Sequence, residues 1–203
     1  MPSNLQKRVK ESVSFDDFGT PYYATDILIP YLKNKGFPCI WEPANGWGFI
    51  SDRLMENGFE VYRTDIKDSA TCKKTNDSPL FNKADNIAGG EIFNLEDCKD
   101  FLEYNHLPPL VDCIVTNPPY SLKDLFLAKC YSLNVPFALL MPLRALGAGT
   151  RVQMYKEHGI ELLVPDKRID FIYQLGKESN WFHAAWYCHN ILPEKLIFTI
   201  MEK

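Results

Sequence analysis

Short apolar runs alternate along this chain with stretches of helical period, and that alternation limits the fold more than any other feature. "CIW" (39–41), "EVYRTD" (60–65), "DCIVTN" (112–117), "FALLMPL" (137–143) and "LIFTIM" (196–201) have the length and composition of strands. "TDILIPYLKNKG" (25–36), "GFISDRLMENG" (48–58), "SLKDLFLAKCYSLN" (121–134) and "TRVQMYKEHG" (150–159) carry apolar residues at helical spacing, and three of these four run into glycine, a usual helix stop. Strand and helix take turns, which predicts an α/β fold: a mostly parallel sheet with helices on both faces. Ligands of such sheets sit beyond the carboxyl ends of the strands, so the chemistry is to be sought there. Two segments depart from the pattern. Residues 67–90 are polar and rich in turn formers, predicting a long loop, and residues 174–195 mix aromatics with Gly, Asn, His and Pro.

The 203 residues show no break in composition, which predicts one domain spanning 1–203, with an N-terminal arm at 1–17. No run reaches the roughly 18 apolar residues of a membrane span. The opening "MPSNLQKRVKESVSFDDF" lacks the apolar core of a signal peptide, so a cytoplasmic location is expected. The six cysteines (39, 72, 98, 113, 130 and 188) lie at least 15 residues apart, which excludes paired metal ligands and predicts reduced thiols. His106, His158, His183 and His189 do not group with carboxylates, and no metal is expected. With a net charge of −4, no global field draws nucleic acid. Contact with phosphates must come from local groups: Lys7, Arg8, Lys73, Lys74, Arg144, Arg151, Lys167 and Arg168 are the candidates.

After the first strand comes "EPANGWG", with Gly46 and Gly48 where strand turns into helix. Glycine there lets backbone N–H groups approach a ligand closely. Asp65 ends the next strand, 23 residues after Glu42, near the roughly 20-residue spacing at which a carboxylate grips a ribose. There is no Gly-Lys-Ser/Thr, and the third glycine of the dinucleotide fingerprint is missing. An adenosine ligand without a pyrophosphate fits better than a dinucleotide, and a nucleotide-dependent oxidoreductase is disfavoured.

"EPANGWG" resembles motif I of the class I S-adenosylmethionine-dependent methyltransferases. "NPPY" (117–120), 75 residues after Glu42, resembles the catalytic motif of the amino-methyltransferases, above all the small phage-type DNA adenine N6 enzymes. "FGTPYYATDILIPYL" (18–32) resembles the cofactor-binding motif X of that family. The match covers about residues 18–200. It implies a Rossmann-like sheet with an antiparallel C-terminal strand, S-adenosylmethionine as cofactor with S-adenosylhomocysteine as product, and methyl transfer to N6 of adenine in DNA. It implies cofactor contacts at Thr20, Pro21, Glu42, Pro43, Ala44, Gly46, Gly48, Asp65, Ile66 and Asn117. For the third-strand contact two readings compete, "EIFN" with Asn94 and "KDFL" with Asp100; the helical spacing of Leu95, Cys98, Phe101 and Leu102 behind an Asn94 N-cap favours Asn94.

The resemblance also gives "NPPY" its roles. An adenine amino group is a poor nucleophile because its lone pair is delocalised into the ring. With the Asn117 side-chain oxygen and the Pro118 carbonyl accepting its N–H bonds, the nitrogen is drawn toward tetrahedral geometry, a case of positioning and electrostatic preorganisation. Pro118 and Pro119 fix the backbone that carries these acceptors. Tyr120 offers a face to the target base, which must be flipped out or single-stranded, and Phe182 in "NWFHAAWY" (180–187) is the candidate second ring. Ser121 is expected to cap the helix that follows.

The same chemistry serves RNA adenine and protein glutamine, although Glu-Pro in motif I favours nucleic acid. A non-catalytic subunit retaining the fold is a further alternative. A methyltransferase core takes up nearly all of the chain, so no separate target-recognition domain is expected. Target reading then falls to 67–90, to "RALGAGTR" (144–151), or to a protein partner or a homodimer. Short or relaxed site specificity and weak, salt-sensitive binding follow.

Overall fold

The computed structural model describes residues 18–66, 100–172 and 182–203. In chain order these form α1 (Tyr22–Asp26), α2 (Ile29–Lys35), β1 (Cys39–Glu42), α3 (Phe49–Glu56), β2 (Glu60–Arg63), β3 (Cys113–Thr116), α4 (Lys123–Ser132), β4 (Phe137–Pro142), α5 (Gly149–His158), β5 (Glu161–Pro165), β6 (Ala184–His189) and β7 (Leu196–Thr199), with single 3-10 turns at Phe101–Glu103 and Leu143–Leu146. The seven strands make one sheet in the order β2-β1-β3-β4-β6-β5-β7. Neighbours β1 and β2, β1 and β3, β3 and β4, and β5 and β7 run parallel, whereas β6 is antiparallel to both β4 and β5. Six strands therefore share one direction and β6 alone is reversed. The reversed strand is the penultimate one, with β7 returning to the common direction at the edge.

The central strands are buried on both faces, which is why they read as unbroken apolar runs rather than as alternation. Alternate residues go to two separate cores. Ile40, Val115, Leu140 and Trp186 pack with Ala24, Leu32 and Leu54 of the first three helices. Trp41, Ile114, Leu139 and Tyr187 pack with Phe126 and Leu127 of α4 and with Phe101. Each large side chain so buried contributes about 1.5–3 kcal/mol. The thiols of Cys39, Cys113, Cys130 and Cys188 are free and buried. Burial, helped by Asp112 and Glu60, pushes the Cys39 thiol up to about 12, so it stays protonated.

Local chemistry explains where the elements differ from expectation. The helix predicted over 25–36 is two: α1 begins earlier, at Tyr22, and α2 restarts with a proline in its first turn, where the missing N–H costs nothing. Gly36, at φ 70°, closes α2. Ser121 is not the cap of α4. That position falls to Leu122, which makes no side-chain cap bond, while its N–H donates to the Pro119 carbonyl at 2.8 Å. Strand β5 was not anticipated, and β6 lies inside the segment that broke the alternation. The predicted loop 67–90, the arm 1–17 and Asn94 lie outside the described residues.

Candidate active site

A small open cleft lies where β1 and β3 end, bordered by Thr20, Glu42, Ala44, Gly46, Trp47 and Asn117 among others. Its floor is the turn after β1. The Asn45 N–H donates to the Thr64 carbonyl at 3.1 Å, and the Gly48 N–H donates to the Asn45 carbonyl at 2.8 Å. Gly46 at φ 50° and Gly48 at φ 81° both take the left-handed conformation, so a side chain at either would strain the turn. Asp65, just beyond β2, ties in the neighbouring strand by accepting the Gly46 N–H on Oδ2 at 2.7 Å. Ile66 follows, 44% exposed.

Glu42 is buried at the last position of β1. Burial pushes its carboxyl up to about 8 against the opposing pull of its bond with Ser51 and of the Arg63 guanidinium, and Asp65 adds to the rise. The Ser51 hydroxyl contacts both Glu42 Oε2 and the Asn45 amide oxygen. Ser51, in the first turn of α3, thus ties the end of β1 and the glycine turn together in one buried polar cluster.

The opposite wall is the strap 18–21. Gly19 exchanges two backbone hydrogen bonds with Ile172, at 2.8 and 2.9 Å, and Pro21 stands at the N-cap of α1. A Cβ on Gly19 would lie 2.6 Å from the Phe49 ring and 2.9 Å from Trp47, so only glycine lets the strap pass this close to the glycine turn and the start of α3. Thr20, 3% exposed, meets Asn117 across the cleft, its Oγ1 accepting the Asn117 Nδ2–H at 3.2 Å. The Asn117 amide oxygen is buried and has no hydrogen-bond partner among the described residues. A buried acceptor left without a donor is costly, and here it stands at a cleft where a ligand can supply one.

Beyond Asn117, Pro118 is buried, Pro119 half-buried, and Tyr120 enters an aromatic cluster. Its ring lies 5.8 Å from Phe18, 6.2 Å from Phe171 and 5.8 Å from Phe182, the last at 69° between planes. Tyr120 and Phe182 thus touch edge to face and leave no parallel slot of base thickness between them. The exposed Arg144 lies over Phe182, its guanidinium 5.7 Å from the ring centroid.

The structure brings Thr20, Glu42, Ala44, Gly46 and Asn117 to one cleft, with Pro43, Gly48 and Asp65 in or bonded to its glycine turn. Asp100, the alternative third-strand residue, caps the Phe101–Glu103 turn, accepting the Leu102 N–H at 2.9 Å. Arg151 is not available to phosphate: it is buried, donating to the carbonyls of Ala145 at 2.7 Å and Gly147 at 3.0 Å and pairing with Asp124. It staples the 144–149 connection instead. Lys167 is exposed but donates to the Met201 carbonyl at 3.2 Å. Lys7, Arg8, Lys73 and Lys74 lie outside the described residues. Sequence reasoning missed Phe18, Gly19, Asn45, Trp47, Phe49 and Ile50 as cleft residues; the first four lie inside the two motifs it singled out, and the last two open α3.

No family model matches the chain, and no curated protein matches it. Solved structures do. A Pyrococcus horikoshii protein described as a candidate RNA methyltransferase shares 18% identity over 81% of each chain at a TM-score of 0.50. A Plasmodium falciparum dimethyladenosine transferase shares 14% identity over 81% of this chain and 59% of that one at a TM-score of 0.48. A Geobacter metallireducens precorrin-6y C5,15-methyltransferase shares 13% over 81% and 83% at 0.40. The first of these likenesses is one of fold: the sheet and its flanking helices have the Rossmann-like architecture of the class I methyltransferases.

Proposed function

We propose that the chain, as one methyltransferase domain, transfers the methyl group of S-adenosylmethionine to N6 of adenine in a nucleic acid, DNA first. The observation that carries this reading is the buried Asn117 amide oxygen without a partner, at the end of β3 and on the same cleft as the glycine turn. A cleft whose polar atoms were all satisfied internally would have no such vacancy for a donor.

The donor set fits the cofactor. The glycine turn with Glu42, Pro43, Ala44, Gly46 and Gly48 would hold it from below, Asp65 and Ile66 from the side of β2, and Thr20 with Pro21 from above. When bound, the cofactor supplies an electrophilic methyl on a sulfonium, a good leaving group. The chain's own part is to accept the adenine N–H bonds at Asn117 Oδ1 and the Pro118 carbonyl, which frees the nitrogen lone pair for attack. The amino nitrogen gains the methyl and loses one proton, which departs after transfer and needs no dedicated base. Tyr120 and Phe182 part to receive the base, which a duplex yields only by flipping.

The acidic net charge and the burial of Arg151 leave few cations for the phosphates, so binding is expected to weaken steeply with salt. Target reading would come from short connections or a second protein copy, giving relaxed specificity. The test is digestion of DNA and RNA to nucleosides after incubation with enzyme and cofactor. N6-methyladenosine in RNA alone would keep the chemistry and change the substrate; methylated glutamine in a protein extract would remove nucleic acid from the reading.

A further inference from the structure

An asparagine amide has a donor end and an acceptor end of nearly the same shape, and only the acceptor end can engage an amino group. What fixes the orientation of Asn117 is therefore part of the chemistry. Its Nδ2 is held by Thr20 Oγ1 at 3.2 Å, and this leaves Oδ1 as the partnerless atom. The hydroxyl comes from a residue 97 positions away in sequence. The strap that carries it is pinned on one side by the two Gly19–Ile172 backbone bonds and on the other by Pro21 at the start of α1. Phe18 packs on Tyr120, so the strap is also seated on the motif it faces.

We propose that Thr20 is a positioning residue that sets the flip state of the Asn117 amide, keeping its oxygen toward the substrate and making the site selective for an N–H donor. This rests on the functional reading above and adds a role distinct from cofactor binding. A hydroxyl can donate to an amide oxygen as readily as it accepts from an amide nitrogen. Here it accepts, with the Asn117 amide nitrogen as the donor, and that pairing turns the amide oxygen away from Thr20. Without the hydroxyl, both amide orientations become accessible and part of the population presents N–H to N–H.

Thr20→Val keeps the shape and removes the hydroxyl; Thr20→Ser keeps the hydroxyl. We expect Thr20→Val to lower kcat, read at saturating cofactor, about tenfold, the rate equivalent of one hydrogen bond, with KM for the nucleic acid changed less than about threefold. Thr20→Ser should restore kcat to within about threefold. In the ligand-free protein, the side-chain amide resonances of Asn117, assigned by their loss in Asn117→Ala, should shift and exchange faster with solvent in Thr20→Val and not in Thr20→Ser. An unchanged kcat in Thr20→Val, or a loss confined to cofactor affinity, overturns the proposal. So do unmoved amide resonances, or failure of Thr20→Ser to rescue. Should the wild type transfer methyl to no acceptor, the functional reading fails on that result, and the amide resonances decide the orientation claim alone. Should Thr20→Val not fold, Thr20→Ser must still show wild-type kcat and resonances, and a tenfold loss in that variant contradicts the proposal.

Discussion

Two buried glutamates at opposite ends of the sheet have opposite surroundings. Glu161 opens β5, at the end of the sheet where the parallel strands begin. Its carboxylate accepts three backbone N–H bonds, from Asn190 at 3.1 Å, Ile191 at 3.0 Å and Leu192 at 2.7 Å. Glu42 closes β1 at the other end, beside the cleft, with the Ser51 hydroxyl against it, and is driven to hold its proton. The first is a structural side chain with three backbone donors, and it fastens the β6–β7 connection to β5. The second is an acid that burial pushes up to about 8, beside the cleft. Burial alone does not set a carboxyl's state; the difference lies in how many donors the fold itself brings to it.

The largest expected effect on this contrast comes from Glu161→Ala, which strands three buried N–H groups and should cost about 3–5 kcal/mol in urea unfolding. A loss below about 1 kcal/mol would mean that the three bonds are replaceable by water and the contrast is overstated. Glu42→Gln should act in the reverse sense. The folded carboxyl keeps its proton up to about 8, whereas the unfolded one ionises from about 4.5, so the unfolded state binds fewer protons between those values and wild-type stability falls as pH rises through that window. Glu42→Gln removes that slope, and relative to wild type it should gain on the order of a few kcal/mol between pH 5 and 8. Parallel pH profiles of stability for the two proteins would show Glu42 to be ionised. Gly19→Ala is the smallest of these, at about 1–3 kcal/mol, since the Phe49 and Trp47 rings must shift to admit the Cβ. Its signature should be weakened cofactor binding; a loss of stability with unchanged binding would separate the strap from the cleft.

Much of this was legible in the sequence, and what was not has identifiable causes. Strands buried on both faces announce themselves as apolar runs, so β1, β3 and β4 could be read directly. β5 could not, because "ELLVP" opens on a glutamate and closes on a proline, and its burial depends on Glu161 finding three N–H groups about thirty residues away. β6 hid among aromatics that sequence alone divides poorly between core and binding surface, and Trp186 and Tyr187 are core. At the site, the glycine turn and "NPPY" carry local signals. The Thr20–Asn117 bond and the Gly19 passage against Phe49 are meetings of distant segments, and no spacing rule reports them. Arg151 misled for the same reason: its charge suggested phosphate, but carbonyls of its own connection and Asp124 hold it.

The most direct test of the central claim is transfer of tritiated methyl from S-adenosylmethionine to unmethylated DNA by the wild type and by Asn117→Ala, with cofactor binding measured on both. Label on adenine that falls by at least about 10²-fold in the variant, with cofactor affinity held within a few-fold, is the expected result. Equal transfer by the two proteins would contradict it, because the vacant amide oxygen would then have no part in the chemistry.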